Sequence, residues 1–175
     1  MSKHYLTAAS RTHHFIIQSF LDLLLEKDFR KITVNDILKK AEISKGTFYK
    51  HFLDKYDLLT QAYHEFFLSI QDDLLCFQDQ EKIIKTFNNI RLSYKVLMEA
   101  KDEHVSIRDD FRKDLVCYYQ KKNGNTPDAE ASYFANQAIW SLDYLSSLNR
   151  YITVEDLDSI FHTSRKLSFQ LLGAI

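Results

Sequence analysis

Apolar residues recur three and four apart along almost the whole chain, the spacing of helices that bury one side. Ile16, Phe20, Leu23 and Leu24, widened by Ile17, Leu21 and Leu25, predict a first helix from about Ala8 or Ser10 to Lys27. Asp28-Phe29-Arg30-Lys31-Ile32 reads as a connection. Thr33 then reads as an N-cap, with Asp36 three residues on in the place of a capping box. The helix it opens, Val34 to about Ala41, buries Val34, Ile37, Leu38 and Ala41. Glu42-Ile43 form a turn, and Ser44 caps a short helix that ends near Phe52. Asp54 caps a fourth helix of about 20 residues, with Tyr56, Leu59, Ala62, Tyr63, Phe66, Phe67, Ile70 and Leu74 on one side.

The same period continues to the end. It predicts helices over about Asp79–Ala100, Val105–Lys122, Pro127–Tyr151 and from Thr153 onward. In the third of these, Pro127 suits the first helical position with Thr126 as cap. The last helix buries Leu157, Ile160, Phe161, Ser164, Leu167, Leu171 and Leu172. The expected fold is all-α, about eight helices with essentially no sheet. Three Gly and one Pro in 175 residues agree, because long helices with short connections need little punctuation. Hydrophobic residues make up 45% of the chain, enough for a core and unlike a disordered composition.

Charge is uneven. Residues 1–60 hold 10 Lys and Arg against 7 Asp and Glu, with four of the seven His; the remainder holds 13 against 17. A basic head on an acidic body fits nucleic-acid binding even though the whole chain carries only −1. Cys76 and Cys117 are isolated, so a reduced intracellular protein with buried structural thiols is expected. The N-terminus lacks the pattern of a secretory leader, and no apolar run is long enough for a membrane span, which leaves the cytoplasm.

The stretch from Ser44 to Leu59 carries the candidate chemistry. Phe48 and Phe52 form the buried side of its helix, while Lys45, Thr47, Tyr49, Lys50 and His51 fall on the other. Cations, a hydroxyl and an aromatic on one small exposed helix suit the DNA major groove. Two short helices joined by a tight turn make a helix-turn-helix, the first buttressing and the second reading base edges. Lys45 can reach guanine O6 and N7 or a phosphate. Gly46 removes a side chain where the backbone must approach DNA, or has no consequence. Thr47 and Tyr49 can reach phosphate oxygens and thymine methyls, with Tyr49 the principal contact. Thr33 reads either as a plain cap or as a cap that also meets a phosphate.

Three blocks in order, Ile32-Thr33-Val34-Asn35-Asp36-Ile37, Ile43-Ser44-Lys45-Gly46-Thr47-Phe48-Tyr49-Lys50-His51-Phe52 and Asp54-Lys55-Tyr56-Asp57-Leu58-Leu59, resemble the TetR family of transcriptional regulators. The resemblance covers about residues 10–67. It implies a DNA-binding domain over 1–54 and a helical dimerisation and effector domain over 55–175, linked by the helix starting near Lys55. It also implies that His51 meets phosphate and helps fix the helix, that Lys50 tunes sequence preference, and that Lys55 binds phosphate. A structural His51 and a solvated Lys55 are the competing readings. Glu42 departs from the family, which usually has Gly there, so either the turn differs or Glu42 adopts a left-handed conformation at a cost on the order of 1 kcal/mol. Asp28 likewise stands where the family commonly has Gly.

Other signals are weaker. His13-His14 are adjacent and so point to different sides of a helix, a poor chelate that reads as solvated. His64, His104 and His162 are scattered, without a HExxH or a Cys partner at ligand spacing, so no metal or cofactor is implied. There is no Gly-rich phosphate loop and no nucleophile motif, and Asp72-Asp73 and Asp109-Asp110 read as solvated faces, which argues against an enzyme. Body aromatics, among them Phe87, Tyr94, Phe111, Tyr118, Tyr119, Phe134, Trp140 and Tyr144, read as core or as the lining of a pocket for a small apolar or aromatic effector. The expected protein is a homodimer joined through its last two helices on an approximately palindromic operator, a repressor released by that effector. The alternative is a regulator of the same fold that answers to a protein partner.

Overall fold

The computed structural model describes residues 8–73, 79–124 and 126–172, with only the backbone described at 8 and at 164–172. Among them are eight α-helices and no strand. These are α1 Ala8–Glu26, α2 Val34–Lys40, α3 Lys45–Tyr49, α4 Lys55–Ile70, α5 Gln80–Glu99, α6 Ile107–Asn123, α7 Asp128–Ser147 and α8 Val154–Leu172. The all-α expectation holds. Leu74 and Cys76, and the side chains of Ser164, Leu167, Leu171 and Leu172, lie outside the described residues.

Boundaries differ from expectation for local reasons. A single 3₁₀ turn, Phe29–Lys31, fills the first connection, capped by Asp28 in an ordinary extended conformation (φ −53°, ψ 137°). Nothing at that position therefore calls for Gly. The fourth helix stops at Ile70, sooner than predicted. α6 starts at Ile107, not Val105, because Asp102 organises the preceding residues. Its Oδ1 accepts from the N–H groups of His104 (2.8 Å) and Val105 (3.1 Å), and its own N–H donates to the Val105 carbonyl (2.9 Å). Pro127 is the N-cap of α7 and not its first residue, and no side chain caps that helix. α7 ends with Leu148 as C-cap because Asn149 turns left-handed at φ +50°, a conformation Asn tolerates.

The chain divides into two compact units. The first runs to Phe66 and includes Val96–Arg108. Its interior gathers Ile16, Ile17, Phe20 and Leu23 of α1, Phe29 and Ile32 of the connection, Ile37 of α2, Phe48 and Phe52 at α3, and Leu58 and Leu59 of α4. Leu25, expected to widen the α1 stripe, is 50% exposed instead. The second unit holds Phe67–Lys95 and the chain from Asp109 onward. Phe87, Tyr94, Phe111 and Leu115 are buried there with the Ala131, Ala135, Ile139 and Leu142 side of α7. Tyr94 donates to Asp143 across α5 and α7 (2.8 Å). Asn88 bonds both backbone groups of Ile152 (2.8 and 3.2 Å), fixing the α7–α8 connection. Cys117, expected to be a buried thiol, is exposed.

Candidate nucleic-acid interface

The interface is built around a helix too short to stand alone. α3 has five residues, far below the length at which an isolated helix persists in water, so tertiary anchoring must hold it. Phe48 and Phe52 supply that anchoring, at 0% and 2% exposure. Ser44 supplies the start: its Oγ accepts from the Thr47 N–H (3.1 Å) and lies 2.9 Å from the Thr47 hydroxyl. With the apolar side sunk, Ser44, Lys45, Gly46, Tyr49 and Lys50 are all exposed, and Thr47 and His51 are half-buried. The Tyr49 ring stands edge-on to Phe48 (centroids 5.3 Å apart), with the Lys45 ammonium 5.9 Å from its centroid.

The turn before α3 is a Schellman motif. The Ile43 N–H reaches the Leu38 carbonyl (3.1 Å) and the Glu42 N–H reaches the Lys39 carbonyl (3.3 Å). Glu42 occupies the left-handed position at φ +50°. Of the two expected outcomes at this turn, Glu42 takes the strained one, at a cost on the order of 1 kcal/mol. Gly46 shows the reverse. A Cβ added there meets nothing nearer than the Ser44 Oγ at 3.8 Å, so the protein's own packing does not demand Gly.

Thr33 caps α2 and its capping box with Asp36 is complete. The Thr33 N–H (2.8 Å) and hydroxyl (2.7 Å) both donate to Asp36 Oδ2, which also takes the Lys27 ammonium at 2.8 Å. The Lys27 ammonium, then Thr33, hold the Asp36 carboxyl well below the usual carboxylate range. Lys55 is equally committed. Its ammonium donates to the carbonyls of Phe29 (3.2 Å) and Ile32 (3.1 Å) and sits 4.5 Å from the Phe29 ring centroid. It thus ties the start of α4 to the chain entering α2, with one of its three donors left over.

Two features had weak sequence signals or none. His13 stacks on Phe52 (4.7 Å), lies 5.8 Å from the His51 ring and places Nε2 3.3 Å from Glu65. His14 reaches the other Glu65 oxygen at 3.5 Å, so the adjacent pair converges on one carboxylate of α4 instead of being merely solvated. The second feature is the hydrogen bond from the Tyr56 hydroxyl to Asp102 Oδ2 (2.8 Å), which fixes the Val96–Arg108 segment to α4 within the first unit. The hydrogen bond to Asp102 raises the Tyr56 phenol's pKa. Residues 46 positions apart give no local pattern that could announce that bond. Among the described residues no cluster of His, Cys, Asp or Glu could hold a metal ion, and no helix is long and apolar enough to cross a membrane.

The expected effector aromatics scatter. Phe87, Tyr94 and Phe111 are buried in the second unit, and Tyr118 donates to Asp72 (2.5 Å). Trp140 and Tyr144 stack on each other at the surface, 41% and 39% exposed. Phe134 does line a cleft, of about 820 Å³, between the start of α5, α7 and α8.

Residues 16–62 match the family model described as bacterial regulatory proteins, tetR family. Over 67 residues the chain is 37% identical to the transcriptional regulator AcuR of Cereibacter sphaeroides, a stretch covering 37% of this chain and 31% of that protein. It is 38% identical over 68 residues to YdeS of Bacillus subtilis, an uncharacterised HTH-type transcriptional regulator (39% of this chain, 32% of YdeS). It is 44% identical over 50 residues to YxbF of the same organism, likewise an uncharacterised HTH-type regulator (28% and 13%). The chain thus spans about a third or less of the relatives it matches.

Proposed function

We propose that this chain, a member of the tetR family through its N-terminal domain, is a sequence-specific DNA-binding transcriptional regulator acting as a C2 homodimer. The observation that carries the reading is the division of α3, with Phe48 and Phe52 sunk and Lys45, Gly46, Tyr49 and Lys50 open to solvent. Such a helix enters the major groove, and two of them related by a two-fold axis read an approximate palindrome. Lys45 and Tyr49 contact base edges and the backbone. Ser44, Thr47 and His51 contact phosphates, and Lys50 tunes preference. Gly46 admits the duplex closely, which accounts for a glycine that nothing inside the protein requires. Thr33 and Lys55 act chiefly as braces of α2 and α4, with the remaining Lys55 donor directed to phosphate.

The dimer forms through α7 and α8. Tyr133, Trp140 and Tyr144 favour this, since they recur at helical spacing on α7 and are 50%, 41% and 39% exposed. Operator binding occludes transcription, and an effector with greater affinity for the non-binding conformation releases it. The cleft in the second unit favours a small ligand over a protein partner as that effector.

Selection of bound duplexes from a random pool tests the reading. A two-fold motif is expected, and it disappears for Tyr49→Ala. Lys45→Ala lowers the slope of log K against log salt by ~0.9 per subunit if the ammonium meets phosphate. No enriched motif at low salt would overturn the proposal.

A further inference from the structure

The cleft of the second unit has a composition that selects among ligands. Its wall is apolar, with Ile83 from α5, Phe134, Leu142 and Leu145 from α7, and Leu157 and Ile160 from α8. About 820 Å³ lies within the range of small-molecule sites. The ionisable groups on the lining are Asp73, Asp158 and His162, with no Lys or Arg among the described lining residues. Asp73 is already neutralised: Lys82 lies 2.5 Å from one oxygen, and Thr86 donates to the other at 2.7 Å. Asp158 is different. It is exposed, and its partner among the described residues is the uncharged amide of Gln80, at 3.1 Å.

A charged ligand group entering this cleft therefore meets a carboxylate whose local partner leaves its charge uncompensated. An anionic head would meet the Asp158 carboxylate on apolar walls, and the Lys82 ammonium beside the cleft is already engaged by Asp73, so the described lining residues offer it no uncommitted Lys or Arg to offset its desolvation. We infer that the cleft is a binding site for an amphipathic cation, an apolar body against the α7 and α8 wall with an ammonium or amidinium-type head at Asp158. This deepens the effector reading above and rests on it for any regulatory consequence, though not for binding itself.

The exposed stripe of α7 and most of the cleft wall fall on adjacent sides of that helix, with Gln137 at their border. On α7 the cleft residues Phe134, Ala138, Ser141 and Leu145 lie about a quarter turn from the exposed stripe of Tyr133, Trp140 and Tyr144, at 3.6 residues per turn. Association through the stripe of Tyr133, Trp140 and Tyr144 leaves the side of α7 bearing Phe134, Ala138, Ser141 and Leu145 available to the ligand.

The test uses the full chain without DNA, titrated in a calorimeter with dodecyltrimethylammonium and with dodecanoate, which share a chain length and differ in sign, both below their micelle concentrations. The cation binds saturably at one site per chain, at least tenfold tighter than the anion. Asp158→Asn removes most of that preference, and Ala138→Phe, which fills the cleft, abolishes saturable binding of both. Equal or tighter binding of dodecanoate overturns the inference. So does cation binding unchanged by Ala138→Phe, which marks adsorption elsewhere, or loss of dimer in that variant with no cation binding by the parent, which marks a cleft closed by a second copy. A cation that binds as stated yet leaves operator affinity unaltered defeats the regulatory reading and leaves the site standing.

Discussion

The two surfaces argued for here treat their side chains in opposite ways. Around α3 the first unit sinks its apolar residues and presents cations, hydroxyls and a tyrosine. Along α7 and α8 the second unit leaves an apolar wall open and presents carboxylates. The first arrangement suits a polyanion whose backbone must be approached closely, and the second suits a greasy body with a positive end. One chain of net charge −1 thus presents two surfaces whose side-chain charges differ in sign, a contrast its overall charge conceals.

Truncations sharpen the contrast most. Phe48→Ala, at a site with 0% exposure, is expected to cost about 3–5 kcal/mol. Leu142→Ala, whose side chain borders open space, is expected near the lower end for its type, about 2 kcal/mol, because fewer contacts are lost. Urea midpoints compare the two, and equal losses would mean that the cleft wall is not open. Next in size, Tyr49→Ala leaves the melting temperature unchanged and weakens operator binding by roughly 1–3 kcal/mol, read by fluorescence anisotropy.

The two left-handed residues come third. Glu42→Gly is expected to stabilise by about 1 kcal/mol, whereas Asn149→Gly gains only a few tenths, since Asn adopts φ +50° with less strain. Gly46→Ala is smaller and two-sided. It gains up to about 1 kcal/mol of helix stability while operator affinity falls, and a rise in both would remove the reason given for that glycine.

The smallest effect is a pH dependence. Arg150 grips Asp156 with two 2.7 Å hydrogen bonds and, with the Thr153 N–H, holds the carboxyl at about 2. The folded value lies below the unfolded one, so the stabilisation is complete above pH about 4 and fades as pH falls toward 2. Asp156→Asn should flatten the urea midpoint over that window.

Much of this was readable from residue spacing. Phe48 and Phe52 on one side of α3, the Thr33–Asp36 box and the Thr153–Asp156 pair are all local, set by helix geometry over three or four positions. What was not readable depends on distant partners. Lys55 looks like a solvent-facing cation until the carbonyls of Phe29 and Ile32, 26 and 23 positions away, occupy it. The aromatic content of the body does not say which rings face inward. Phe111 and Trp140 are similar apolar signals, yet one is at 0% exposure and the other at 41%. Period identifies a buried side only when one side is apolar, and α7 is apolar on more than one.

The brevity of α3 has a consequence for how such a protein can change. Its outward side chains at 45, 49 and 50 are exposed, whereas those at 48 and 52 anchor the helix in the core. On the proposed reading, binding preference and foldedness are thereby written on separate letters of one short word. If the first set reads DNA as proposed, a lineage can rewrite it and acquire new target sites while the scaffold stays intact.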